Sequence, residues 1–405
     1  MINLEVPKKF EQLVDQAHMV ATEIFRKNSR KYDLAEHEYP KELDMLAAVI
    51  EGANPSGAGA GTVGSGGNGG APKERTGNRN GSNMSTLLGL TELCWGDVGL
   101  LLTMPRQGLG QAAIAAVADE EQLRRFGGKW AAMAITEPEA GSDSAAIRTT
   151  ARFDEDTDEW VLNGEKIFVT SGDRADLIVV WATLDASQGR AAIKSFVVER
   201  DNPGLKLDRL EHKLGIRASD TANFVLDDCR VPKENLLGSA QIAPKGGFAG
   251  VMQTFDNTRP LVAGMAIGVA RACLDRTREL LAEAGIEPDY DWPLHAQPAA
   301  AAEFISMESD WEAARLLTLR AAWMADNRKP NSLQASMAKA KAGRVGTDVA
   351  LRCVALAGAI GYGEGELLEK WARDVKILDL FEGTQQIQLL IVSRLVLGKT
   401  SAELK

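Results

Sequence analysis

The 405-residue chain is short of the residues that build metal and redox centres, with four Cys and four His. Cys94, Cys229, Cys273 and Cys353 lie far apart without a C-x-x-C, and His18, His37, His212 and His295 show no paired spacing. No metal is therefore expected. Scattered cysteines in so long a chain read as reduced core thiols and predict a cytoplasmic protein. Positive charge is in deficit too. A formal net charge of -10 excludes the basic surface that a nucleic-acid partner needs. A local group of Arg and backbone N–H donors can still hold a small anion against that charge. No apolar run reaches membrane-spanning length, and "MINLEVPKKFEQLVDQ" is too polar for a secretory leader, so neither a membrane span nor secretion is expected.

Glycine, by contrast, is concentrated. "GAGAGTVGSGGNGG", Gly57 to Gly70, contains two overlapping G-x-G-x-x-G patterns, the fingerprint of a dinucleotide-binding turn. That turn must leave a strand and enter a helix. Here "KELDMLAAVIEG" before it reads as helix, and "APKERTGNRNGSN" after it is polar and broken by Pro and Gly. Without the helix there is no aligned row of N–H groups for a pyrophosphate. The stretch reads as a flexible connector, a glycine-rich insertion over 52–72.

Three regions follow one another. From residue 1 to 126 the pattern is helical: "FEQLVDQAHMVATEIF" sets Phe10, Leu13, Val14, Ala17, Val20 and Ile24 on one stripe. From 127 to 240 short β-branched runs predict an antiparallel β domain, since no long helix fits between them. Within it, Asn163-Gly164 in "DEWVLNGEKIFVT" predicts a two-residue hairpin turn. From 241 to 405 long helical segments with short connections predict an antiparallel bundle, with Pro260 kinking the first and Gly285 capping it. The expected class is α+β, mainly α: an N-terminal helical domain, a middle antiparallel β domain and a C-terminal four-helix bundle.

Three stretches can carry chemistry. "AITEPEAGSDSAAIRTTA" offers the hydroxyls of Thr136, Ser142 and Ser144 around Gly141, and is equally an Asx- or Ser-turn entering the β domain. "EHKLGIRASDTANFVLDDCRVPKENLLG" is charged and small, and equally an ordinary loop–strand–loop surface. In "ILDLFEGTQQIQLLIV", Glu382 lies between two apolar turns. It is either a plain helix junction with Thr384 as N-cap, or a carboxylate whose desolvation suits it to be a general base.

In order and spacing, "AITEPEAGSD", "NGEKIFVTSG", "KLGIRASDT", "VPKENLLG", "FDNTRP" and "RDVKILDLFEGTQQIQ" resemble the acyl-CoA dehydrogenase family. The resemblance runs from about Lys31 to Leu397 and implies the same three-part fold. It implies FAD between the β domain and the bundle, and an acyl-CoA substrate oxidised to the trans-2-enoyl-CoA, as in fatty acid β-oxidation. Glu382 is then the base that takes the α-proton, since Thr258 occupies the position where some relatives carry a carboxylate. Met133, Ile135, Thr136, Gly141 and Ser142 are implied at the flavin, with Phe168, Val169 and Thr170 over its other face. Thr384 and Gln386 are implied at the adenosine half. Ser142, Asp256, Thr258, Arg259 and Gly383 are implied at the substrate. Electrons pass to an electron-transferring flavoprotein, or to O₂ if the chain is an acyl-CoA oxidase.

Two features that hold FAD across a subunit boundary in the family are missing. Ala284 in "AEAGIEPDYDWP" stands where the family has an Arg for the pyrophosphate, and Ala355 in "ALAGAIGYGEG" where it has a Gln. A pyrophosphate needs cationic or N–H donors. Either Arg276 or Arg278 substitutes in a homo-oligomer (dimer or tetramer), or a paralogous subunit supplies the contact in a hetero-oligomer.

Overall fold

The computed structural model of the chain describes residues 6–53, 79–105, 110–242, 249–400 and 403. The glycine stretch Gly57 to Gly70 lies outside them. The N-terminal part runs through α1 (Lys8–Val20), a π-helical turn (Ala21–Arg26), α2 (Lys27–Leu34), α3 (Glu42–Ala53), α4 (Ser82–Gly96), α5 (Val98–Thr103), α6 (Gly110–Val117) and α7 (Glu120–Phe126). A sheet follows, built from β1 (Ala131–Ala134), β2 (Thr150–Asp154), β3 (Glu159–Thr170), β4 (Leu177–Thr183), β5 (Ile193–Glu199), β6 (Leu205–Leu210), β7 (Thr221–Pro232) and β8 (Leu236–Leu237). The chain ends in α8 (Ala249–Glu283), α9 (Ala299–Asp326), α10 (Ser332–Tyr362), α11 (Leu368–Val375) and α12 (Gln385–Leu397). The class is α+β and mainly α, as the helical and β-branched patterns predict.

The sheet is ordered β6-β7-β3-β2-β4-β5-β8, with β1 beside β4. Pairing is antiparallel except at β1–β4 and at the single pair Thr150–Thr183, which are parallel. Asn163-Gly164 is not the hairpin turn that its sequence predicts. β3 runs straight through it, and the β2–β3 turn lies upstream, between Asp154 and Glu159. The register against β7 slips between Leu162 and Gly164, so the pair forms a bulge. A Cβ on Gly164 would sit 2.5 Å from Thr149 Oγ1, and its φ is +154°. Close approach of Thr149, rather than a chain reversal, is why glycine stands there.

One apolar core spans the N-terminal helices and the bundle, from Phe25 and Leu87 through Met265 and Phe304 to Trp371 and Leu378. α8 continues as helix through Pro260, and at its end Ile286 N reaches Leu281 O beyond Gly285. α10 is long and apolar enough by composition to cross a membrane. Instead its Ala338, Ala342, Val345 and Val349 are buried in this core. Asp326, closing α9, accepts from the N–H groups of Gly81, Asn83 and Met84 at 2.7, 3.0 and 3.0 Å, so it caps α4 from another helix.

Charge fastens the three parts together. Lys370 on α11 is 2% exposed and donates to Asp97 Oδ2 and Asp374 Oδ2, both at 2.5 Å. Asp374 Oδ1 accepts from the N–H of Ile216 in the β6–β7 loop at 2.5 Å. Beside it Arg373 holds Asp33 of α2 (2.6 Å) and the carbonyl of Leu214 (2.9 Å). Burial works against the Lys370 charge, but the two carboxylates raise its pKa above the ordinary lysine value. Lys370→Met should lower the unfolding free energy by about 3–5 kcal/mol, because two buried carboxylates lose their counter-charge. Urea denaturation measures this, and a variant as stable as the parent would refute the fastening role.

Candidate active site

The segment after α11 makes a short 3-10 turn, Lys376–Asp379, and α12 starts at Gln385 behind the Thr384 N-cap. Between them the backbone turns left-handed twice, at Glu382 (φ +57°) and Gly383 (φ +92°). A left-handed glutamate is a strained residue that its surroundings must hold. The surroundings are two buried side chains. Lys339 on α10 donates to the Gly383 carbonyl at 2.6 Å. Gln388 Nε2 on α12 reaches the carbonyls of Glu382 and Gly383, each at 3.1 Å. The helix-junction reading thus has its cap, and the carboxylate besides.

The Glu382 side chain is half-buried against α8, where Thr258 and Arg259 are 0% and 4% exposed. Thr258 Oγ1 donates to Glu382 Oε2 at 2.7 Å. Burial pushes the Glu382 carboxyl above its ordinary value, opposed by the Thr258 hydrogen bond and by the charges of Arg259 and Lys339. Lys339 is itself pulled down to about 8 by burial, with Asp379 and Glu382 working the other way. A carboxylate of raised proton affinity, oriented through one oxygen, is suited to take a proton. Among the described residues the N–H of Glu382 donates to no acceptor.

The second group sits on the β domain. Ile167 N donates to Thr136 O at 2.9 Å, which sets the segment after β1 beside Phe168. Phe168 is 58% exposed with φ +58°. Met133 in β1 and Ile135 just after it are half-buried, Thr170 is half-buried, and Gly141 and Ser142 are exposed in a turn. The Val169 side chain points into the β core, which leaves only its backbone to face a ligand. Glu137 and Lys166 pin this surface. Lys166 Nζ lies 2.7 Å from Glu137 Oε1 and 3.2 Å from the Ile135 carbonyl, and Glu137 also accepts from the N–H groups of Arg148 (2.6 Å) and Thr149 (3.0 Å).

The structure therefore gathers Thr258, Arg259, Glu382 and Gly383 at one place, and Met133 to Thr136 with Phe168 at another. Asp256 lies in α8 with its side chain outside the described set. Thr384 caps α12, and Gln386 on its first turn is exposed. Sequence reasoning missed Lys339, Gln388, Glu137 and Lys166. The available signal was a lysine inside an apolar stripe ("SMAKAKAG") and another inside a strand ("NGEKIF"). It also missed that the adjacent Glu36 and His37 and the distant His212 bring their donor atoms within 4.8 Å of one another. Arg276 and Arg278 are both engaged within the chain: Arg276 pairs with Glu366, Glu279 and Glu283, and Arg278 with Glu308. Ala284 and Ala355 are exposed.

Comparison with known proteins finds the C-terminal domain of acyl-CoA dehydrogenases over residues 245–397 and their middle domain over 132–229. The mitochondrial short-chain specific acyl-CoA dehydrogenase of Rattus norvegicus is 40% identical over 267 residues, which are 66% of this chain and 63% of that protein. The match thus spans less than two thirds of that relative. Acryloyl-CoA reductase (NADH) of Anaerotignum propionicum is 34% identical over 67% of this chain and 68% of its own. The solved structure of butyryl-CoA dehydrogenase from Megasphaera elsdenii superposes with a TM-score of 0.81 at 29% identity, covering 98% of this chain and 100% of that one.

The turn at Glu382 generates a prediction. A Cβ on Gly383 would lie 2.4 Å from Gln388 Nε2, on a backbone that L-residues avoid. Gly383→Ala should cost about 1–3 kcal/mol of stability, read as a lowered Tm; an unchanged Tm would mean that the turn is not held as described.

Proposed function

The chain belongs to the acyl-CoA dehydrogenase family, and from that premise we propose that it oxidises an acyl-CoA thioester to the trans-2-enoyl-CoA with Glu382 as the α-proton base. The observation that carries this reading is the Glu382 carboxylate: desolvated, raised in proton affinity and oriented by Thr258 at 2.7 Å.

In water an α-proton of a thioester is far too weak an acid for a carboxylate. It becomes removable where the developing enolate oxygen meets preorganised donors. The uncommitted N–H of Glu382 is such a donor, and the missing Cβ at Gly383 lets Gln388 pack against the turn that presents it. The proton passes to a Glu382 carboxylate oxygen. Oε2 already accepts from Thr258, which keeps the group aimed while its charge changes. Thr258 has no carboxylate of its own to offer, so Glu382 is the single candidate base of this pair of positions.

FAD fits the exposed face of the β domain. Phe168 presents an uncovered aromatic ring on a strained backbone, and three residues on the buried Ser171 hydroxyl lacks a partner among the described residues. Thr136, Ser142 and Phe168 would hold the flavin, and Thr384 and Gln386 the adenosine end. When bound, FAD supplies the acceptor for the β-hydride, and an electron-transferring flavoprotein is the proposed electron exit.

A second reading concerns assembly. With Ala284 and Ala355 at the two positions that would complete a neighbour's site, Arg276 and Arg278, the two candidate substitutes, are tied to carboxylates rather than free for a pyrophosphate. That favours a paralogous partner subunit over a homo-oligomer.

Two measurements test these readings. Supplied with FAD and with any partner subunit it copurifies with, the protein should show flavin absorption bleached by saturated acyl-CoA thioesters of graded length. Glu382→Gln should bind them without bleaching, and bleaching by the variant would remove the base assignment. Expressed alone, the chain should carry well under one FAD per chain; full, tight occupancy would eliminate the paired-subunit reading.

A further inference from the structure

Lys339 stands in the first third of α10, 1% exposed, among alanines that pack the bundle core. An ammonium group is costly to bury there without partners. Its hydrogen bond runs to the Gly383 carbonyl, at 2.6 Å. The charges around it are Asp379 on the 3-10 turn, Glu382, and Arg259 on α8. Asp379 is also held by Lys376 at 3.0 Å.

From this arrangement we infer that Lys339 is a positioning residue for Glu382. It clamps the Gly383 carbonyl so that the left-handed Glu382–Gly383 backbone persists, and its charge biases the Glu382 carboxyl toward the ionised form that can accept a proton. The inference deepens the proposed function and rests on the reading of Glu382 as the base.

Two kinds of hold act on the turn, and they are separable. Gln388 is neutral and binds both carbonyls, so it fixes geometry without altering charge. Lys339 fixes geometry and also supplies a positive charge. The groups facing Glu382 are Thr258 and Arg259 from α8 and Lys339 from α10. Thr258 contributes a hydrogen bond, and the other two contribute charge. Removing Lys339 therefore leaves burial opposed by Thr258 and Arg259 alone, and the Glu382 carboxyl must titrate at higher pH. Burial has pulled Lys339 itself down to about 8. Its bias is thus present at neutral pH and fades as the pH rises through that value.

The test compares the parent with Lys339→Met, which keeps the length and removes the charge, and Lys339→Arg, which keeps the charge. Protonation of Glu382 is followed by the infrared carbonyl band of its carboxylic acid, assigned by its disappearance in Glu382→Gln. This readout requires no turnover. In parallel, the pH midpoint of thioester-driven flavin bleaching is measured in a single turnover. Lys339→Met should move both midpoints upward by about one pH unit, and Lys339→Arg should restore them. A slowed Lys339→Met with unmoved midpoints would overturn the inference and leave the lysine a purely structural clamp. Should the parent show no bleaching while the infrared midpoint still shifts, the proposed function fails and the electrostatic role of Lys339 stands. If Lys339→Met does not fold, Lys339→Gln makes the same comparison.

Discussion

A single ammonium group buried among carboxylates organises this chain. Lys370 has no water to solvate it, so Asp97 and Asp374 must both come to it, and each arrives with further obligations. Asp97 caps α5 through the Leu100 N–H at 2.8 Å and accepts from Ser29. Asp374 takes the backbone of Ile216 in the β6–β7 loop. The desolvation penalty of such a group makes each partner expensive to remove. Three distant stretches of sequence thus meet at one charge. The β domain is seated on the bundle by the same contact, immediately ahead of the turn that carries Glu382.

Seating of this kind matters for a site assembled from two domains. The bundle contributes the carboxylate with its hydroxyl and lysine. The β domain contributes the open face around Phe168. The two surfaces share no hydrogen bond among the described residues, so their relative placement depends on contacts elsewhere, among them the β6–β7 loop on α11 and Arg174 on the Thr103 carbonyl. In that loop Gly215 packs so tightly on Arg373 that an added Cβ would lie 2.5 Å from its carbonyl carbon. Precision at the reacting atoms is in this way delegated to a contact some distance from them.

Much of the architecture was legible in the sequence because it is written locally. Apolar stripes at helical spacing marked α1, α8, α9 and α10, and β-branched runs marked β4 and β5. Thr384 read correctly as an N-cap, since capping involves only neighbours in the chain. What failed was context. Asn163-Gly164 has turn chemistry, but contact with Thr149 uses the glycine for a bulge instead. Lys339 and Lys166 carry no local signal of a role until the fold places Gly383 and Glu137 against them. His37, Glu36 and His212 converge only because α2 packs beside the β6–β7 loop. Family motifs located Glu382; its strained backbone and its clamps belong to tertiary structure alone.

The cap that Asp326 places on α4 has a consequence for evolution of the chain. Helix starts are usually specified by the residues just before them, so insertions there shift or fray the helix. Here the first turn of α4 is registered by the end of α9, and Asn327 holds Arg79 through both backbone groups at 2.9 and 2.7 Å. Whatever length of chain joins residue 53 to residue 79, α4 begins at the same place. Doubling such a connector costs only about 0.6 kcal/mol in closure entropy. The segment between residues 53 and 79 can therefore change in length while α4 keeps its start.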